Sequence, residues 1–164
     1  VRDNVRFPLK EANVTEDEWS LQRVRQVLRM VGLEEAIDKM PAELSGGQQK
    51  RVALARAIVL EPQVILYDEP TTGLDPIRSD VINELILKLA RQLDVTSIVV
   101  THDLASAFKV ADRMVMLHEG EVILEGTPEE FRRSANPVVQ RFLRGEASDE
   151  ELAAIRSAGP QRRR

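Results

Sequence analysis

Two short apolar runs, each ending in reactive side chains, constrain this chain more than anything else in it. Val64-Ile65-Leu66-Tyr67 is uninterrupted, follows Pro62 and runs straight into Asp68-Glu69-Pro70. A run this short, bounded by proline and acids, reads as a strand covered on both faces, the pattern of a parallel sheet. Residues 96–100 form a second such strand, which ends at Thr101-His102-Asp103. Between them Asp75-Pro76 supplies a helix cap with proline at the first helical position. Ile77, Val81, Ile82, Leu85, Ile86 and Leu89 then fall at the spacing of one buried helical face. The alternation of strand and helix predicts an α/β fold. The carboxyl edge of such a sheet is where ligands bind, and it would carry Asp68, Glu69 and His102.

The chemistry of that edge is specific. One of two adjacent carboxylates can hold Mg²⁺, directly or through water, while the other orients or deprotonates an attacking water. An isolated Asp-Glu pair reads as two solvated acids; here Pro70 and Gly73-Leu74-Asp75 follow at once. A histidine on the neighbouring strand end, His102, would lie near Glu69; a lone histidine is more often structural. Upstream, Ser45-Gly46-Gly47-Gln48 opens a helix predicted to run to about Leu60. Free backbone N–H groups and the positive helix end favour an anion there, and the glycines let a phosphate approach. Ser-Gly also serves as an ordinary cap. Asp75 has a capping role of its own at Pro76. Lys50, Arg51 and Arg56 read as the exposed face of the helix that follows Ser45, adding to the potential on the phosphate side.

The remainder reads as follows. Pro8 predicts an extended or turn segment over residues 1–10. Thr15 and Glu18 form a capping box, with Val14 and Trp19 as its staple. Val24, Val27, Leu28 and Val31 mark the buried face of the helix, which Gly32 ends. A short helix over residues 34–39 is stopped by Pro41. Glu119-Gly120 between two apolar runs predicts a hairpin. Thr127, Asn136 and Ser148 (with Glu151) start further helices, and the end of the chain frays.

Composition excludes several functions. The net charge is −4, and one Trp, one Tyr and four Phe are too few for a stacking surface, so nucleic acid is not an expected partner. With no cysteine there is neither a disulfide nor a thiolate metal site. No apolar run approaches the roughly 20 residues of a spanning helix, so membrane contact would go through a partner.

Taken in order, Leu44-Ser45-Gly46-Gly47-Gln48, the 64–69 strand with its two acids, Gly73-Leu74-Asp75-Pro76 and Thr101-His102-Asp103 resemble the signature loop, Walker B, D-loop and switch histidine of ABC transporter ATP-binding subunits. The resemblance covers nearly the whole chain. It implies an α/β, P-loop NTPase-like core with a helical subdomain, ATP as substrate and Mg²⁺ as cofactor. It gives Glu69 and His102 to catalysis and Asp68 to the metal. It gives Ser45, Gly46, Gly47, Gln48 and Asp75 to nucleotide binding across a dimer, where the signature loop closes over ATP held by the second subunit. The core is incomplete: G-x-x-x-x-G-K-[ST] is absent, since none of the eight glycines precedes a lysine. The chain, starting at Val1, is therefore expected to be the C-terminal part of a cassette and inactive alone.

The expected organisation is a helical subdomain and linker over 1–44, the ATPase core over 45–127 and a helical extension over 128–164. Residues 1–44 would dock a transmembrane permease on the cytoplasmic face of a bacterial inner membrane. The 137–144 helix would pack on the partner cassette. The opening residues 1–9 and the tail 136–145 resemble the ATPases of Mla/Mce phospholipid transporters. The alternatives are an ATPase of the polar amino-acid importer type, or an inert interaction module.

Overall fold

The computed structural model describes residues 1–14, 17–148 and 152–153. They fall into two compact units, divided between Val110 and Ala111.

The first unit opens with helix α1, Arg2–Glu11, where the sequence predicts an extended segment. Pro8 lies inside it. An interior proline costs about 3 kcal/mol. Val5 and Leu9, one turn apart, are both 0% exposed, and Val1 is buried beside them. Each such burial stabilises by about 1.5–3 kcal/mol, so packing outweighs the lost backbone bond. Helix α2, Asp17–Met30, buries Val24, Val27 and Leu28 as its periodicity predicts. The capping box proposed at Thr15 lies outside the described residues. Trp19, read as half of the staple, is 44% exposed. Gly32, at φ +68°, ends this segment.

The helix predicted over 34–39 shrinks to a 3₁₀ turn, Glu34–Ala36, followed by a second at Pro41–Glu43. So short a segment cannot offset the cost of helix nucleation. Helix α3, Gly46–Ile58, starts at Ser45, whose side chain accepts from the Gln48 backbone N–H while Gln48 reaches back to the Ser45 N–H. Strand β1, Val64–Asp68, and strand β2, Thr96–Val100, pair in parallel with Leu66 opposite Ile98 and Asp68 opposite Val100.

The expectation that both faces of this pair are covered is corrected. Ile65 and Tyr67 are buried, whereas Val64, Leu66, Ile98 and Val100 are exposed. The one covered face packs on the helices, with Ile65 and Tyr67 in the same core as α1–α3 and helix α4, Pro76–Leu93. In α4, Ile82, Leu85, Ile86 and Leu89 are buried, but Ile77 and Val81, expected on the same face, are exposed. Helix α5, Leu104–Val110, follows β2.

The second unit begins with strands β3, Met114–His118, and β4, Glu121–Gly126, paired antiparallel. Glu119 and Gly120 both have positive φ, as the predicted tight hairpin requires. Helices α6, Pro128–Arg133, and α7, Pro137–Arg144, are capped by Thr127 and Asn136. Phe131 and Val139 are buried and Phe142 is exposed. The box at Ser148 and Glu151 falls partly outside the described residues.

Candidate functional site

Glu69 sits one residue beyond β1, and its backbone N–H donates to the Val100 carbonyl at 2.9 Å, extending the parallel ladder by one rung. Its φ is +47°, in the left-handed region that a side chain rarely adopts. Such strain persists only where the surroundings hold it, and it gathers at functional positions. Here the turn aims the carboxylate at the end of β2. Oε1 accepts from the His102 backbone N–H at 3.2 Å and lies 2.8 Å from His102 Nδ1. Oε2 accepts from the Thr72 hydroxyl at 2.9 Å.

These contacts set the charge state. His102, then Thr72, hold the Glu69 carboxyl below its usual range. The Glu69 carboxylate raises the His102 imidazole above its own. His102 is 74% exposed and Glu69 33%, so the pair opens to solvent.

Behind the pair, Asp103 fixes the loop. Its carboxylate accepts from the Ser106 hydroxyl at 2.6 Å and the Thr71 hydroxyl at 3.4 Å, and from the backbone N–H groups of Ala105 and Ser106. These donors, Ser106 first, hold Asp103 well ionised. Buried Asn83 of α4 donates to Ser106 at 2.8 Å.

The other candidates hold different positions. Asp68 ends β1 exposed, and among the described residues nothing pairs with its carboxylate. Asp75 accepts from the Arg78 backbone N–H at 3.0 Å and so caps α4. Ser45 and Gly46 are exposed. Neither Gly46 nor Gly47 has positive φ. An added Cβ would sit 3.9 Å from Leu74 at Gly46 and 3.8 Å from Arg78 at Gly47, ordinary contact distances. Among the described residues nothing requires glycine there.

A family model described as ABC transporter matches residues 1–72. The intermembrane phospholipid transport system ATP-binding protein MlaF of Haemophilus influenzae is 45% identical over 145 residues, 88% of this chain and 55% of that protein. The spermidine/putrescine import ATP-binding protein PotA of Oleidesulfovibrio alaskensis is 46% identical over 144 residues, 87% of this chain and 38% of that protein. The structure of cbiO1 from Clostridium perfringens, part of the ABC transporter complex cbiONQ, superposes with a TM-score of 0.72 at 33% identity, covering 93% of this chain and 59% of that one.

The chain has the fold of an ABC ATPase.

The chain spans about half the length of the curated relatives it matches, 55% of the MlaF protein and 38% of the PotA protein. In this ABC ATPase fold the phosphate-loop motif is absent from the 164 residues. Among the described residues no three His, Cys, Asp or Glu side chains converge on a point. The exposed Asp68 carboxylate, without a partner among the described residues, is chemically able to serve as one oxygen ligand of a divalent cation.

Three basic residues are engaged in a way the sequence does not announce. Lys50 donates to the Glu69 carbonyl at 3.1 Å, and Arg51 to the Val31 and Gly32 carbonyls. Arg56 stacks over the Phe7 ring. Lys50 and Arg51 are half-buried and tied to backbone carbonyls, while Arg56 is exposed as the sequence suggests. Thr72 was missed altogether; a hydroxyl three residues after a carboxylate is too common a pattern to single out.

Proposed function

We propose that this chain carries the hydrolytic and signature elements of the ATP-driven subunit of an ABC transporter. The observation that supports this most is the Glu69–His102 pair, with its two hydrogen-bond lengths and its strained backbone. Glu69 orients the water that attacks the γ-phosphate. Held below its usual range by His102 and Thr72, the Glu69 carboxyl stays ionised and able to accept a hydrogen bond from that water. His102 Nδ1 is spent on Glu69, which leaves Nε2 for a γ-phosphate oxygen. Mg²⁺, when bound at Asp68, neutralises developing phosphate charge.

Gly46 and Gly47 support a nucleotide sandwich. Their own chain has room for side chains, so what needs the bare backbone lies outside it: the γ-phosphate of an ATP held by a second subunit. Asp75 lies at the same interface while capping α4. Residues 1–44 dock a permease, and no helix among the described residues is long and apolar enough to cross a membrane. The subunit works at the cytoplasmic face of a bacterial inner membrane.

The proposed cargo is a phospholipid, supported by the 45% identity to the MlaF protein and by residues 1–9 and 136–145. A polyamine importer is the second reading, favoured by the 46% identity to the PotA protein. The test joins this chain to a phosphate-loop segment and reconstitutes the product with its permease in vesicles. ATP turnover should depend on Mg²⁺, vanish in Glu69→Gln and be coupled to lipid movement. Turnover coupled to spermidine uptake instead would replace the cargo. Full turnover in Glu69→Gln would overturn the mechanism.

A further inference from the structure

The Glu69 carbonyl accepts twice, from the Thr72 backbone N–H at 3.3 Å and from Lys50 Nζ at 3.1 Å. Thr72 belongs to the same turn. Lys50 comes from another element, the first turns of α3, and is half-buried. It lies four residues after Gly46, on the same helical face. Among the described residues its ammonium meets the Glu69 carbonyl and no carboxylate. The charge is directed at one backbone oxygen, belonging to the residue whose left-handed φ aims the carboxylate at His102.

We propose that Lys50 is a positioning residue for hydrolysis, tying the signature helix to the backbone of Glu69. This rests on the function proposed above. In a nucleotide sandwich the start of α3 faces one ATP while Glu69 acts on the other. The Lys50 bond makes these two parts of one subunit move together. Phosphate seated at residues 45–47 holds α3, α3 holds Lys50, and Lys50 holds the Glu69 peptide in the orientation that sends its carboxylate toward water. Lys50 itself does not touch ATP.

The experiment compares wild type, Lys50→Met, Lys50→Arg and Glu69→Gln in the full-length subunit carrying this chain, with steady-state ATP turnover and thermal melting. Lys50→Met should lower kcat about tenfold, the scale of one lost hydrogen bond to a charged donor, with KM for ATP changed less than about twofold. Lys50→Arg, which keeps charge and donor, should restore most of kcat. A raised KM with unchanged kcat would mean that Lys50 contacts ATP directly, and would overturn the proposal. So would unchanged kcat and KM with only a lower melting point, the result of a purely structural tie. If Lys50→Met does not fold, Lys50→Gln, polar and of similar length, is read in the same way. A loss in Glu69→Gln without a loss in Lys50→Met removes the role of Lys50 alone. No loss in Glu69→Gln removes the catalytic reading and the role of Lys50 with it.

Discussion

Arg23 and Arg51 each cap the helix that carries the other. Arg23, in α2, donates from Nε to the Val59 carbonyl and from NH2 to the Ile58 carbonyl, both at 3.0 Å, at the end of α3. Arg51, in α3, donates to Val31 and Gly32 just past the end of α2. Cations at helix C-termini satisfy orphan carbonyls and oppose the helix dipole. Arg23 is only 6% exposed and meets Glu61 at 3.2 Å. Arg23→Met should destabilise the first unit by about 2–3 kcal/mol, since it leaves two buried carbonyls without donors. Arg51, less buried, should cost about 1 kcal/mol as alanine. Urea unfolding of both variants checks the ranking; equal effects would contradict it.

The Glu69–His102 pair makes a prediction about pH. Histidine has its pKa raised, so its contribution to stability is complete below the unfolded value of about 6.5 and fades as pH rises through the higher folded value. Glutamate has its pKa lowered, so its contribution is present above the unfolded value and fades as pH falls through the lower folded one. Both contributions are therefore complete between the ordinary glutamate value of 4.5 and the ordinary histidine value of 6.5, and the pair weakens as pH leaves that window on either side. In an NMR titration His102 should titrate above about 6.5 in wild type and return toward it in Glu69→Gln. An unmoved midpoint would refute the pairing.

Gly47→Ala separates folding from function. The chain has room for the methyl group, 3.8 Å from Arg78, and alanine favours a helix over glycine by up to about 1 kcal/mol. The melting temperature should hold or rise. On the proposed nucleotide sandwich, ATP turnover of the chain joined to a phosphate-loop segment should fall at least tenfold, because the methyl group would occupy the path of an approaching phosphate. A drop in both would point to a structural glycine.

Asp75→Ala removes the cap of α4 and its contact with Arg78 at 3.2 Å. Denaturant unfolding should show a loss of about 1 kcal/mol, while Asp75→Asn, which keeps a capping oxygen, should lose less than half of that.

The legible parts of this fold are those decided locally. Ser45, Asp75, Thr127 and Asn136 each cap the helix that follows, because one side-chain oxygen meets one nearby N–H. The meeting of Glu69 with His102 is legible too: each follows closely on one of two adjacent parallel strands, and Asp68 stands opposite Val100. What tertiary packing decides is not legible. Pro8 reads as a breaker until Val5 and Leu9 are seen to be buried. The ties made by Lys50, Arg23 and Arg51 span 19 to 36 residues, and long side chains carry no sign of where they end. An apolar run such as residues 64–67 does not say which of its faces another element covers.

That uncovered side of β1 and β2 governs how the chain behaves as a colloid. Leu66 is 74% exposed and stands opposite Ile98, with Val100 beyond, along a ribbon only two strands wide. Water is a poor solvent for such a stripe, and open strand edges invite further strands to add. Dilution and cold should keep this polypeptide dispersed, whereas concentration and warmth should favour its self-association.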